Sequence, residues 1–153
     1  MNIRPALQAD AEGMSEVLND IFQAGLRDAA GDIDFVMRRY IEHPARILCS
    51  VAVDQDLRIR VFQSLKHGWR GNPYGVGDGW GIIGTHIRPD AARRGVGKAL
   101  FLASLQAARS AKLIAIDATI GEDNEPALAY YEALGFRDYR RITDCVCKAY
   151  RLG

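Results

Sequence analysis

The stretch Arg93-Arg94-Gly95-Val96-Gly97-Lys98 holds the residues best suited to chemistry. It follows a β-branched run and opens onto a segment with helical periodicity, so it should stand at the mouth of a helix. The first N–H groups of a helix have no intrahelical partner, and the helix dipole concentrates partial positive charge there. Glycines at Gly95 and Gly97 let the backbone approach a ligand closely. Arg93, Arg94 and Lys98 add full charges around the same turn. A phosphate fits such a turn, and a diphosphate fits it better.

On this turn alone several phosphate sites compete. A nucleotide-binding P-loop ends in Gly-Lys, as Gly97-Lys98 does, but its first glycine would fall at Ala92 and its hydroxyl residue at Ala99. A dinucleotide-binding loop would need a third glycine where Leu100 stands. The pyrophosphate loop of an acetyl-CoA site is a third possibility. A solvated basic helix start with a tight turn is the plain alternative.

The elements around the turn follow from period and punctuation. Asn2 to Pro5 reads as a short strand. Asp10 is placed to cap a helix whose apolar face is Met14, Val17, Leu18, Ile21 and Phe22. A second helix reads from Asp32, with Ile33, Val36, Met37, Tyr40 and Ile41 on one face and His43-Pro44 ending it. Ile47 to Val53 and the run from Ile59 form a hairpin across Asp54-Gln55-Asp56. His67 to Gly79 is a long Gly-rich loop, and Trp80 to Arg88 is a strand stopped by Pro89. The helix after the glycine turn should bury Val96, Leu100, Ala103 and Ala107. Leu113 to Ile120 is apolar enough for a central strand. Asn124 or Asp123 caps a short helix with Pro126 in its first turn, and Gly135 ends it. Phe136–Tyr139 and Ile142–Tyr150 close the chain as strands. The order is β-α-α-β-β-β-α-β-α-β-β, an α/β (α+β) chain expected to form a single domain over residues 1–153.

Composition narrows the function classes. The chain has 153 residues, 48% hydrophobic and 25% charged, which is ordinary for a globular domain. Lys+Arg number 20 against 19 Asp+Glu, a net charge of +1, so a strongly cationic nucleic-acid protein is disfavoured. No apolar run nears the roughly 18–20 residues of a membrane span. No signal peptide is expected at Met1-Asn2-Ile3-Arg4-Pro5, because no apolar stretch follows the charge. Cys49, Cys145 and Cys147 are an odd set, read as plain thiols in a reducing, cytoplasmic setting. His43, His67 and His86 show no ligand spacing, so no metal is expected.

Two segments together carry a family resemblance. Thr85 to Leu100, with its Arg93-Arg94-Gly95-Val96-Gly97-Lys98 turn, resembles the acetyl-CoA loop of the GNAT superfamily of N-acyltransferases. Asn124-Glu125-Pro126-Ala127, followed by Tyr131-Glu132-Ala133-Leu134-Gly135-Phe136, is similar to that family's second signature. The chain resembles the small-molecule branch, such as amino-acid and phosphinothricin-type acetyltransferases. Ala92 departs from the pattern, since the family usually has Arg or Gln there.

The resemblance implies a mixed sheet of about seven strands that splays between strands 4 and 5, with CoA's pantetheine arm in the gap. It implies acetyl-CoA as co-substrate, with cofactor contacts from Thr85, Ile87, Arg93, Arg94, Gly95, Val96, Gly97, Lys98 and Asn124. Tyr131 is then the catalytic residue. A phenol with a reference pKa of about 10 is neutral at pH 7 and can donate to the leaving thiolate. Tyr130, on another helix face, is read as structural.

The general base is open. Strand Trp80–Arg88 carries no carboxylate, and His86, Asp78, Asp117 and Glu122 are candidates beside a water chain or an amine that arrives neutral. Trp69, Tyr74 and Trp80 could line the acceptor pocket. Arg27 and Arg70 could hold a carboxylate, and Asp28, Asp32 or Asp78 a cation. The expected reaction is direct acetyl transfer to a small-molecule primary amine in a ternary complex. A CoA-binding sensor and a protein lysine or N-terminal acetyltransferase are the alternatives. A homodimer is expected, with no nucleic-acid or membrane partner.

Overall fold

The computed structural model describes residues 1–91 and 95–153. Seven strands form one mixed sheet: β1 (Asn2–Pro5), β2 (Arg46–Val53), β3 (Ile59–His67), β4 (Trp80–Ile87), β5 (Ala115–Gly121), β6 (Arg137–Ile142) and β7 (Cys145–Arg151). Their spatial order is β1-β2-β3-β4-β5-β7-β6. The helices are α1 (Ala11–Gln23), α2 (Ile33–Val36), α3 (Val96–Ser110) and α4 (Glu125–Leu134). Every neighbouring strand pair is antiparallel except β4 and β5.

Strand alternation divides the core in two. Val51, Phe62 and Ile59 meet Met14, Val17 and Leu18 of α1 on one face. Leu65, Ile83, Ile116 and Ala118 meet Phe101 and Leu105 of α3 and Tyr131 of α4 on the other. Arg88, just past β4, clamps the first layer to the sheet. It is only 1% exposed, donates from Nε to the Ile59 carbonyl at 2.8 Å, and pairs with Asp20 and Glu16 of α1.

The strand that positions the site is β4. It pairs with β5 only at Trp80–Ala115, Gly81–Ile116 and Ile82–Asp117. Its other edge stays paired with β3 out to Val61–Ile87, and β5 stays paired with β7 out to Gly121–Cys145. Each strand is thus held by its outer neighbour while the two diverge, which opens a wedge beside Ile83–Ile87.

Local details depart from the sequence reading. Asp10 does not cap α1 with its side chain. Arg4 grips it at 2.7 and 2.8 Å, and it accepts from Leu7 N at 2.7 Å, because a 3-10 turn (Gln8–Asp10) intervenes before the helix. The second helix is one α turn, capped by Asp32, that widens into a π turn over Met37–Ile41. On α3, Phe101, Ser104, Leu105 and Ala108 are buried where Ala103 and Ala107 were expected to be. The buried stripe is rotated toward the Ser104–Gln63 hydrogen bond.

Candidate active site

The wedge is bordered on the α3–α4 face by a chain of hydrogen bonds. Ser104 Oγ donates to Gln63 Oε1 at 2.6 Å. Gln63 Nε2 reaches Thr85 Oγ1 at 2.9 Å and the Tyr130 hydroxyl at 3.1 Å. Thr85 Oγ1 lies 2.9 Å from the Tyr131 hydroxyl, and the Tyr130 hydroxyl donates to the Gly97 carbonyl at 2.6 Å. Gln63, Thr85 and Ser104 thereby tie β3, β4 and α3 to both tyrosines of α4. Burial raises the pKa of each phenol, Tyr130 to about 12 and Tyr131 further, so both are neutral hydrogen-bond donors at neutral pH.

The mouth of α3 adjoins this network. Gly95 sits before the helix at φ 70°, a left-handed conformation that favours glycine. A Cβ on Gly97 would lie 2.7 Å from Tyr130 Cε1, so the ring needs the glycine to approach the helix start. Among the described residues no side chain caps α3, whereas Asn124 fills its own helix cap by accepting from Ala127 N at 3.2 Å. Ile87, Gly95, Val96, Gly97, Lys98 and Tyr130 line a cavity of about 500 Å³ between α3 and α4. Arg93 and Arg94 lie outside the described residues.

On the opposite face, β4 and β5 contribute Gly84, His86 and Thr119 to a second cavity of about 170 Å³. Arg27, Arg39, Lys66, Ser64 and Tyr74 also line it. Tyr40 and Phe62 pack around His86, and the Tyr40 hydroxyl is 3.3 Å from its Nε2. Burial, with Arg27, Arg39 and Lys66 nearby, pushes the His86 pKa down to about 3, so its ring is neutral at physiological pH. Arg39 donates to the Tyr74 hydroxyl at 2.9 Å.

The other candidates fall in varied places. Buried Asp117 accepts from Thr119 at 2.7 Å and from Tyr139, and pairs with Arg140 at 3.6 Å. Glu122 pairs with Arg141 at 3.2 Å. Asp28, Asp78 and Arg70 are exposed. Trp69 lies under the Lys66 ammonium, and Trp80 packs on Tyr139. Cys49 and Cys147 are buried, and burial raises the Cys49 thiol to about 12. Sequence reading missed Gln63, Ser64, Lys66 and Ser104. The alternation within Val61-Phe62-Gln63-Ser64-Leu65-Lys66 puts polar groups on both faces of a central strand, and that was the available signal.

Residues 62–136 match the Acetyltransferase (GNAT) family, a span that holds the wedge, the α3 mouth and both tyrosines. That span carries a GNAT acetyltransferase family domain. The chain is 34% identical over 113 residues to a mycothiol acetyltransferase of Clavibacter michiganensis subsp. michiganensis, covering 73% of the chain and 33% of the relative. It spans about one third of the length of the curated relatives it matches. Among solved folds, a GCN5-related N-acetyltransferase from Kribbella flavida superposes with TM-score 0.80 at 20% identity, covering 99% of this chain and 97% of that one. A phosphinothricin acetyltransferase from Sinorhizobium meliloti, solved in complex with acetyl-CoA, gives TM-score 0.81 at 18% identity, with 99% and 88% covered. The expected α/β class, the seven-stranded mixed sheet and its opening between strands 4 and 5 agree with these folds. Among the described residues no helix is long and apolar enough to cross a membrane.

Proposed function

We propose that this domain transfers an acetyl group from acetyl-CoA to a primary amine of a small molecule, by direct attack in a ternary complex. The observation that carries the reading is the wedge between β4 and β5, with a groove at the α3 mouth on one face and a polar cavity on the other. Acetyl-CoA enters from the first side and the amine from the second.

The CoA pyrophosphate binds the backbone N–H groups of Gly95, Val96, Gly97 and Lys98, helped by Lys98, Arg93 and Arg94. Val96 is buried in the core, so its contribution is backbone alone. The pantetheine arm runs along the β4 edge at Thr85 and Ile87, which β5 leaves unpaired. Asn124 borders the arm while it caps α4.

The amine nitrogen attacks the acetyl carbonyl carbon, the C–S bond breaks, and the thiolate takes up a proton as the amide forms. Tyr131 donates its hydrogen bond to that sulfur. Its hydroxyl is suited to this because donors are supplied in sequence. Ser104 donates to Gln63 and Gln63 to Thr85, and the Thr85 and Tyr131 hydroxyls share a hydrogen bond that either can donate; with Thr85 as the donor, the Tyr131 oxygen accepts. The Tyr131 proton is then free for the thioester sulfur. The buried phenol is a weaker acid than a thiol, reference pKa about 8.5, so Tyr131 stabilises the thiolate mainly by hydrogen bonding. The high pKa of buried Cys49 favours direct transfer over a thiol-linked enzyme intermediate. A homodimer in a cytoplasmic setting belongs to the same proposal, with sedimentation as its check.

Calorimetric titration with acetyl-CoA, then thiol release over a panel of primary amines, tests the reading. Binding with turnover is the expected result. Binding without turnover on any amine would make the domain a sensor, and no binding at millimolar acetyl-CoA would remove both.

A further inference from the structure

The cavity on the amine side has an unbalanced charge. Arg27, Arg39 and Lys66 converge on it, and among the described residues none of the three forms an ion pair. Arg27 donates from Nε to the Ala29 carbonyl at 2.8 Å, and Arg39 to the Tyr74 hydroxyl. Lys66 is the most buried of them, 5% exposed on central strand β3. Its ammonium meets aromatic faces, 5.1 Å from the Tyr40 ring centre and 5.6 Å from that of Trp69. A buried cation without a counter-charge is costly unless something supplies one.

A second observation points the same way. Ser64, two residues before Lys66 on the same strand face, lines the same cavity and is 3% exposed. Its Oγ is the buried side-chain polar atom left without a hydrogen-bond partner among the described residues. An orphaned hydroxyl beside three unneutralised cations is a donor set for an oxyanion. The cavity, about 170 Å³, holds roughly six waters' worth of volume at about 30 Å³ each, the size of a compact amino acid. Gly84 and Thr119 bring it to the strands that part, where acetyl transfer would occur.

We infer that this cavity is an oxyanion subsite, so that the acceptor is a small primary amine carrying a carboxylate or a phosphonate or phosphate group, held by Lys66, Arg39, Arg27 and the Ser64 hydroxyl. The inference rests on the acetyl-transfer reading and adds the class of acceptor. Asp117, the nearby buried carboxylate behind Thr119, is engaged by Tyr139 and Arg140 and does not neutralise the three cations.

The test is thiol release with matched acceptors: β-alanine and 4-aminobutanoate, 2-aminoethylphosphonate, and propylamine and butylamine. Acetyl-CoA affinity is measured separately by calorimetry, and propanoate and methylphosphonate are titrated as amine-free probes. The anionic acceptors should exceed the alkylamines in kcat/KM by about 10- to 100-fold. The carboxylate and phosphonate arms decide which oxyanion is preferred. Lys66→Met and Ser64→Ala should shrink the anionic-to-neutral ratio and weaken probe binding, with acetyl-CoA affinity retained. Alkylamines turned over as well as anionic acceptors would overturn the subsite and leave acetyl transfer standing. If acetyl-CoA binds and no amine turns over, acetyl transfer fails. The subsite is then judged by the probes: binding to wild type that Lys66→Met abolishes supports it, and no binding overturns it.

Discussion

The hydroxyls of Thr85 and Tyr131 stand 2.9 Å apart, one on β4 where it leaves β5 and the other on the last turns of α4. Thr85 already accepts from Gln63, so its own proton is available to the Tyr131 oxygen. Tyr131→Phe should therefore lower kcat by about 10²-fold and leave acetyl-CoA affinity within a few-fold. Gln63→Leu should lower kcat less, since it reaches Tyr131 only through Thr85. Single-turnover thiol release beside calorimetry separates the two effects. Full turnover in Tyr131→Phe would remove the tyrosine from the chemistry.

Gly97 and Tyr130 couple the groove at the α3 mouth to α4. Gly97→Ala places a methyl 2.7 Å from the Tyr130 ring and disturbs the bond from its hydroxyl to the Gly97 carbonyl. The expected result is a lower Tm and acetyl-CoA binding at least about tenfold weaker, as the helix mouth shifts. Tyr130→Phe keeps the ring and removes only the hydroxyl. It should cost about 1–2 kcal/mol in urea unfolding, with a smaller loss of affinity.

The pH–rate profile should show no inflection from His86 between pH 6 and 7, because its pKa is held near about 3 by burial and by Arg27, Arg39 and Lys66. Turnover should instead rise with pH as the amine substrate loses its proton. His86→Asn should preserve the shape of the profile. A lost acidic limb in that variant would restore the imidazole as the base.

Lys66 carries a stability cost that can be measured. Burial, reinforced by Arg39, lowers its pKa to about 8 from 10.5, while Cys49 pulls weakly the other way. His43, His86 and Tyr40 also surround it and add no negative charge at neutral pH. The unfolded chain binds the proton more tightly than the folded one, so the penalty is full below pH 8 and fades as pH rises from about 8 to 10.5. Lys66→Met should raise stability at pH 7 by about 1–3 kcal/mol, and the gain should shrink above pH 8. Urea titrations at pH 7 and pH 10 check both the sign and the window.

Much of this domain was legible in its linear order. Helical and strand periods located the elements, because burial on one face leaves a period of 3.6 or 2. Gly95, Gly97 and Gly135 marked the start of α3 and the end of α4, since backbone dihedrals and close approach are local demands. The pairing of that turn with Tyr131-Glu132-Ala133-Leu134-Gly135-Phe136 pointed to the family that residues 62–136 match.

Other features depended on distance through space. Asp10 was placed as a cap by its neighbours in sequence, but Arg4 takes its carboxylate, and only the packing of β1 brings the two together. Gln63 and Lys66 read as polar interruptions in an apolar strand. Tertiary structure sends Gln63 to the tyrosines on one face and Lys66 to the cations on the other. The amino-acid order by itself determined the elements, the glycine turn and the family, because each follows from local dihedral and burial preferences. Which side chains converge on the wedge, and how their charges and protons shift there, was decided only when β4 and β5 parted. Desolvation and hydrogen bonding depend on neighbours that the chain brings from far along its length.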